Sequence, residues 1–98
     1  MTPKDKQDIQ KMEELYDGFK PKLDHLRQSL ASFKEDYHHY NQLMAFYGSE
    51  DWFRLRDLPA EGIKSGVLSE DQLFDLVTDH KDLLGELLAL AYQMHQDR

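Results

Sequence analysis

Glu35, Asp36, His38 and His39 are the residues whose types and spacing could best hold a metal ion. A Glu-x-x-His pair on a helix places both side chains on one face, as in di-iron sites of helix bundles. Such sites need a second Glu-x-x-His helix, and the sequence contains none. We therefore interpret Glu35, His38 and His39 as part of a solvated helix face. A small metal- or ligand-binding bundle is the alternative.

The sequence offers no arrangement of residues typical of catalysis. It has no cysteine, and its serines lack the context of a nucleophile triad. Phosphate-binding loops, dinucleotide-binding loops and zinc-protease motifs are absent. The helix start at Ser69 resembles an anion site, but Glu70 and Asp71 would repel a phosphate there. We expect no enzymatic activity and no cofactor.

Charge and composition exclude several classes of partner. The 98-residue chain has a formal net charge of −7, whereas nucleic-acid and anionic-membrane surfaces need clustered Lys and Arg. The N-terminal residues are charged and contain no apolar signal segment. No apolar run approaches the roughly 20 residues needed to span a bilayer. We expect one cytoplasmic helical domain over residues 1–98.

A long apolar seam predicts the first helix, over residues 4–46. The gaps between its residues alternate between three and four, as in coiled coils and bundles. The seam comprises Ile9, Met12, Tyr16, Phe19, Leu23, Leu26, Leu30, Phe33, Tyr37, Tyr40, Met44 and Tyr47.

Gly18 and Pro21 interrupt this stretch, so the helix is either kinked or broken at residues 18–21. The seam continues without a slip and Lys20 is a poor N-cap, which favours a kinked continuous helix. A break there would give a three-helix bundle instead.

The last predicted helix covers residues 70–96 and has a well-specified start. Ser69 is a suitable N-cap, and Gln72 at the third helical position would complete a capping box. Leu68 and Leu73 are placed to form a hydrophobic staple across the cap. Gly66 would allow a backbone turn just before it. We predict an all-α fold in which the long helix packs antiparallel on this last helix.

Residues 48–68 are predicted to form a folded connection. Gly48 ends the first helix as a C-cap, and Ser49 begins a short helix that contains Trp52. The connection is too rich in apolar residues for a slack linker. We expect it to fold as a lid, with Trp52 as its anchor.

Three stretches of the sequence carry a family resemblance: Tyr47-Gly48-Ser49-Glu50-Asp51-Trp52, Leu58-Pro59-Ala60 and Gly66-Val67-Leu68-Ser69-Glu70-Asp71. They resemble the signature of a small bacterial family known as a domain of unknown function, family 4298. The resemblance reaches to about Ala91. It implies the fold and a bacterial cytoplasmic setting, and it implies no activity.

The unequal lengths of the two long helices suggest self-association. The first would be on the order of 60 Å long and the last about 40 Å. The seam around Ile9, Met12 and Tyr16 would then lack a partner within the chain. A second copy could cover it, so we predict a homodimer or an adaptor for another protein.

Aromatic and arginine side chains of the connection form a candidate contact patch, because these residue types are enriched in binding hot spots. The patch comprises Tyr47, Trp52, Phe53, Arg54 and Arg56. For Trp52 the alternative is a purely structural role as the buried anchor of the lid.

Overall fold

The computed structural model describes residues 1–97, which contain helices joined by irregular segments and no strand. Helix α1 spans Pro3–Phe46, α2 spans Glu50–Arg56 and α3 spans Glu70–Asp97. A short 3₁₀ helix, η1, spans Gly66–Leu68 and precedes α3. The prediction of an all-α fold with a long first helix, a short helix and a C-terminal helix is confirmed.

The chain divides into two compact units. Unit 1 comprises Met1–Gln42 and consists almost entirely of α1. Unit 2 begins at Leu43 and contains the end of α1, the lid and α3. The antiparallel packing of α1 on α3 and the assignment of residues 1–98 to one domain stay predictions.

Helix α1 starts with a reciprocal cap that was not predicted from the sequence. The Asp5 amide donates to Thr2 Oγ1 at 3.0 Å, and the Thr2 amide donates to the Asp5 carboxylate at 3.0 Å. The bond from the Thr2 amide, with a smaller contribution from the Thr2 hydroxyl, favours the charged carboxylate and lowers the pKa of Asp5 from its usual 3.8. The cap therefore stabilises the folded protein at pH values above 3.8. This stabilisation is lost as the pH falls through the lowered pKa of Asp5.

Helix α1 is continuous through Gly18 and Pro21. The turn at residues 18–21 required by the three-helix alternative is not formed, so that alternative is wrong. Pro21 lies two residues, or about 200° around the helix, from Phe19, so its ring is on the face opposite the seam. An ion pair between Lys20 Nζ and Asp24 Oδ1, at 2.7 Å, spans this proline.

The connection between α1 and α2 turns at Gly48, as predicted. Gly48 has a φ of +78°, in the left-handed region that favours glycine. Ser49 then caps α2, because its Oγ accepts from the Trp52 amide at 3.1 Å. The two residues end one helix and begin the next within a short turn.

The start of α3 differs from the predicted capping box. Ser69 Oγ accepts from the Gln72 amide at a long 3.4 Å, but the Ser69 amide donates to the Gly66 carbonyl at 2.9 Å. In a capping box the Ser69 amide would donate to the Gln72 side chain. Here that bond is replaced by a backbone bond of η1. Leu73 is buried and Leu68 is half-buried, as expected for residues beside this cap.

The backbone at Gly66 does not require glycine for the predicted turn. Its φ is not positive, so any residue could adopt its backbone conformation. A Cβ at this position would meet Oε1 of Gln72, the end of a flexible side chain that can move aside. Glycine therefore leaves space for the Gln72 side chain, which lies over η1.

Alanine at two glycines should have opposite effects on stability, because both sites have room for a Cβ and differ in the backbone. Gly48→Ala should lower the free energy of unfolding by about 1–2 kcal/mol, since its φ is positive. Gly18→Ala, inside α1, should raise it by up to about 1 kcal/mol. Denaturant unfolding followed by circular dichroism measures both, and changes of the same sign would contradict this account.

Candidate functional site

Trp52 is the centre of the predicted contact patch, and it is buried, with only 2% of its surface exposed. Its indole Nε1 donates to the Val67 carbonyl at 2.9 Å. This bond joins α2 to η1 across 15 residues of the sequence. The ring therefore anchors the lid, as the structural alternative for this residue predicted.

Aromatic and cationic side chains surround the Trp52 ring. Tyr47 and Phe53 contact it edge-on, with ring centroids 5.2 and 5.0 Å away. The Arg56 guanidinium lies 5.0 Å from the Trp52 centroid and 5.1 Å from that of Phe53. A cation over aromatic faces is attracted by their negative potential. Arg56 thereby holds the outer side of the cluster together.

The structure brings four of the five patch residues together. Tyr47, Trp52, Phe53 and Arg56 form one cluster, whereas Arg54 pairs with Asp51 Oδ1 at 3.3 Å. Because Trp52 is buried, any contact with a partner would involve the exposed surfaces of its neighbours. Phe53, which is 47% exposed, offers the largest free apolar surface among them. Binding at this patch stays a prediction.

A small pocket lies beside this cluster, within unit 2. Its volume is about 250 Å³. Apolar lid residues were predicted to fold inward, but not to leave a pocket. The apolar lining includes Phe46, Leu55, Leu58, Ile63, Val67 and Leu68. Lys64 and Ser65 are the polar residues of the lining.

The alternative metal residues are on the exposed surface of α1. His38 Nδ1 donates to the Glu35 backbone carbonyl at 3.0 Å, and the His38 and His39 rings lie 4.1 Å apart. Within residues 1–97, no three His, Cys, Asp or Glu side chains come together in a way that could hold a metal ion. The local geometry is that of a solvated helix face.

The N-terminal part of the α1 seam is a long apolar surface that the rest of unit 1 leaves exposed. We call it the N-terminal seam, and its side chains are 37% to 64% exposed. Helix α1 contains no buried residue. The N-terminal seam comprises Ile9, Met12, Tyr16, Phe19, Leu23, Leu26, Leu30 and Phe33.

This seam was recognised from residue spacing, but only Ile9, Met12 and Tyr16 were expected to lack a partner. The exposed part includes five more seam residues, the last of which is Phe33. Spacing identifies which residues share a helix face, and it does not identify what covers them. Asp8 and Glu13 flank the first three seam residues along a shallow groove. None of the helices among residues 1–97 combines the length and apolar character needed to cross a membrane.

The chain belongs to the family described as "Domain of unknown function (DUF4298)", which matches residues 9–90. This confirms the resemblance inferred from the lid and the start of α3. The match also includes most of α1 and hence the whole N-terminal seam. A comparison with curated proteins found no match.

Replacing Trp52 by Phe should destabilise unit 2, because it removes one hydrogen bond and part of a buried ring system. Trp52→Phe keeps an aromatic ring but leaves the Val67 carbonyl without its donor. We expect the free energy of unfolding to fall by about 1–3 kcal/mol in chemical denaturation. Tyr92→Phe, which removes a polar group from a ring that is 68% exposed, is the control. Equal midpoints for the two variants would show that the indole bond does not stabilise the lid.

Proposed function

We propose that this member of the family is a non-enzymatic protein–protein interaction module that associates with itself through the N-terminal seam. One observation carries the proposal: eight apolar side chains at heptad spacing line a helix that has no buried residue. Heptad spacing is the pattern that a second helix can cover along its whole length. The lid, in this proposal, holds unit 2 together and takes no part in catalysis.

The low stability expected for α1 on its own supports the proposal of a partner surface. Most of the stability of a helix in a protein comes from packing its apolar face, and local propensity contributes less. Pro21 inside α1 costs roughly 3 kcal/mol relative to alanine. The ion pairs Lys4–Asp8 and Lys20–Asp24 each contribute only about 0.2–0.5 kcal/mol to the stability of the helix. Covering the seam would supply the missing stabilisation.

The distribution of charge supports self-association in this part of the chain. Residues 1–34 contain seven Lys or Arg and six Asp or Glu, a net charge of +1. Residues 35–98 contain five and thirteen, a net charge of −8. The two sums give the −7 of the whole chain. Two copies can therefore approach along residues 1–34 without strong mutual repulsion.

Light scattering on a sizing column, over a range of concentrations, tests the proposal. We expect twice the chain mass of 11.6 kDa at high concentration. Phe19→Lys should shift the protein to a monomer, because it places a charge in the seam. Gln28→Lys adds the same residue on the outer face of α1 and should leave the dimer unchanged.

The single tryptophan provides a check on folding. Trp52 lies in unit 2, so unchanged fluorescence would show that the Phe19→Lys variant keeps its lid. A wild-type protein that stays monomeric at every concentration would overturn the proposal. Equal effects of Phe19→Lys and Gln28→Lys on the mass would overturn it as well.

A further inference from the structure

We infer that the two copies pair antiparallel along α1, with the midpoint of their overlap between Asp17 and Gly18. The inference rests on the proposed self-association and specifies the occupant of the N-terminal seam. In this arrangement, residue n of one copy lies opposite residue 35 − n of the other. The charge pattern and the flanking residues of α1 favour it.

The charge of α1 changes sign at this midpoint. Residues 1–17 contain three Lys and five Asp or Glu, a net charge of −2. Residues 18–34 contain four Lys or Arg and one Asp, a net charge of +3. The antiparallel overlap places each segment against the segment of opposite charge. A parallel dimer in register would place each against its own copy.

The charges of the residues that flank the seam favour an antiparallel dimer. The overlap places Glu13 of each copy beside Lys20 of the other, which gives two attractive pairs. Lys6 and Arg27 meet at the two ends of the overlap, where solvent and salt screen their repulsion.

A parallel dimer has like charges at its corresponding flanking positions. The usual contact joins a residue to the one five positions later in the other copy. Asp8 would face Glu13, and Lys22 would face Arg27, each on both sides of the dimer. No attractive pair of charges offsets them at these positions over residues 8–34. The antiparallel dimer avoids these four contacts, and its two Glu13–Lys20 attractions offset its own two Lys6–Arg27 repulsions.

Six of the eight seam residues form apolar layers in the antiparallel overlap, whereas Leu30 and Phe33 lie opposite Asp5 and Thr2. Tyr16 faces Phe19 in both central layers, where the rings can adopt an offset or edge-on contact. Aliphatic layers close both ends of this aromatic centre, and Pro21 lies on the outer face. In chain order, the layers are Ile9 with Leu26, Met12 with Leu23, and Tyr16 with Phe19.

Distances between spin labels on the two copies test the direction and the register. The chain has no cysteine, so single-cysteine variants can be labelled at Gln7, Glu14 and Gln28 on the outer face. The antiparallel overlap separates identical labels along the axis by about 30 Å at Gln7 and Gln28, and by about 10 Å at Glu14. A parallel dimer in register gives the same separation at all three sites.

A dimer with equal distances at the three sites would overturn the inference and leave the proposed self-association standing. A trimer, or a dimer with its shortest distance elsewhere, would overturn it too. A monomer would instead overturn the proposed self-association. The three failures are therefore distinguishable in one set of labelled samples.

Charge reversal at Glu13 gives an independent test. Glu13→Lys should weaken the antiparallel dimer about fivefold, because two attractive pairs become repulsive. In a parallel dimer the same change would face Asp8 and strengthen association. Glu14→Lys makes the same charge change on the outer face and is the matched control. Tighter association of Glu13→Lys than of Glu14→Lys would contradict the antiparallel arrangement.

Discussion

The N-terminal seam of α1 is the constraint on which this account depends. It places eight apolar side chains along one face of a helix, and none of them is buried. A helix of this kind, with a proline in its interior, gains little from propensity and local ion pairs. In the proposed function, its stability comes from a surface that covers the seam. A second copy of α1 is the occupant that the charge pattern of residues 1–34 favours.

Unit 2 is stabilised by contacts within the chain. Trp52 and Leu73 are its buried side chains among residues 43–97, and the indole bond to Val67 joins α2 to η1. Gly48, Ser49 and Ser69 set the backbone directions around them. The small core of this unit depends on turns and caps as much as on apolar area. The lid is therefore a structural element first, and Phe53 and Arg56 are its outward-facing parts.

Local signals in the sequence were sufficient to predict the helices. The heptad spacing located α1, and Gly48, Ser49 and Ser69 marked helix ends that the structure contains. The cap at Thr2 and Asp5 was missed, although the residue types and spacing were visible. Gln72 was assigned to a capping box, but η1 satisfies the Ser69 amide instead. A 3₁₀ turn of three residues leaves no clear periodicity to detect.

Tertiary features were harder to predict, because they depend on residues far apart in the chain. The burial of Trp52 was expected from its size, whereas its bond to Val67 requires the return of the chain 15 residues later. The pocket beside Leu58 and Ile63 arises from the same fold-back. Spacing alone also could not show how much of the α1 seam is exposed. Exposure depends on what the rest of the chain covers.

Hydrogen exchange at high and low protein concentration tests the central claim most directly. If a second copy stabilises unit 1, dilution should speed the exchange of backbone amides between residues 5 and 36. The amides around Trp52 and Leu73 in unit 2 should exchange at an unchanged rate, since their contacts lie within one chain. Protection of residues 5–36 that is strong and independent of concentration, in a monomeric protein, would contradict the account.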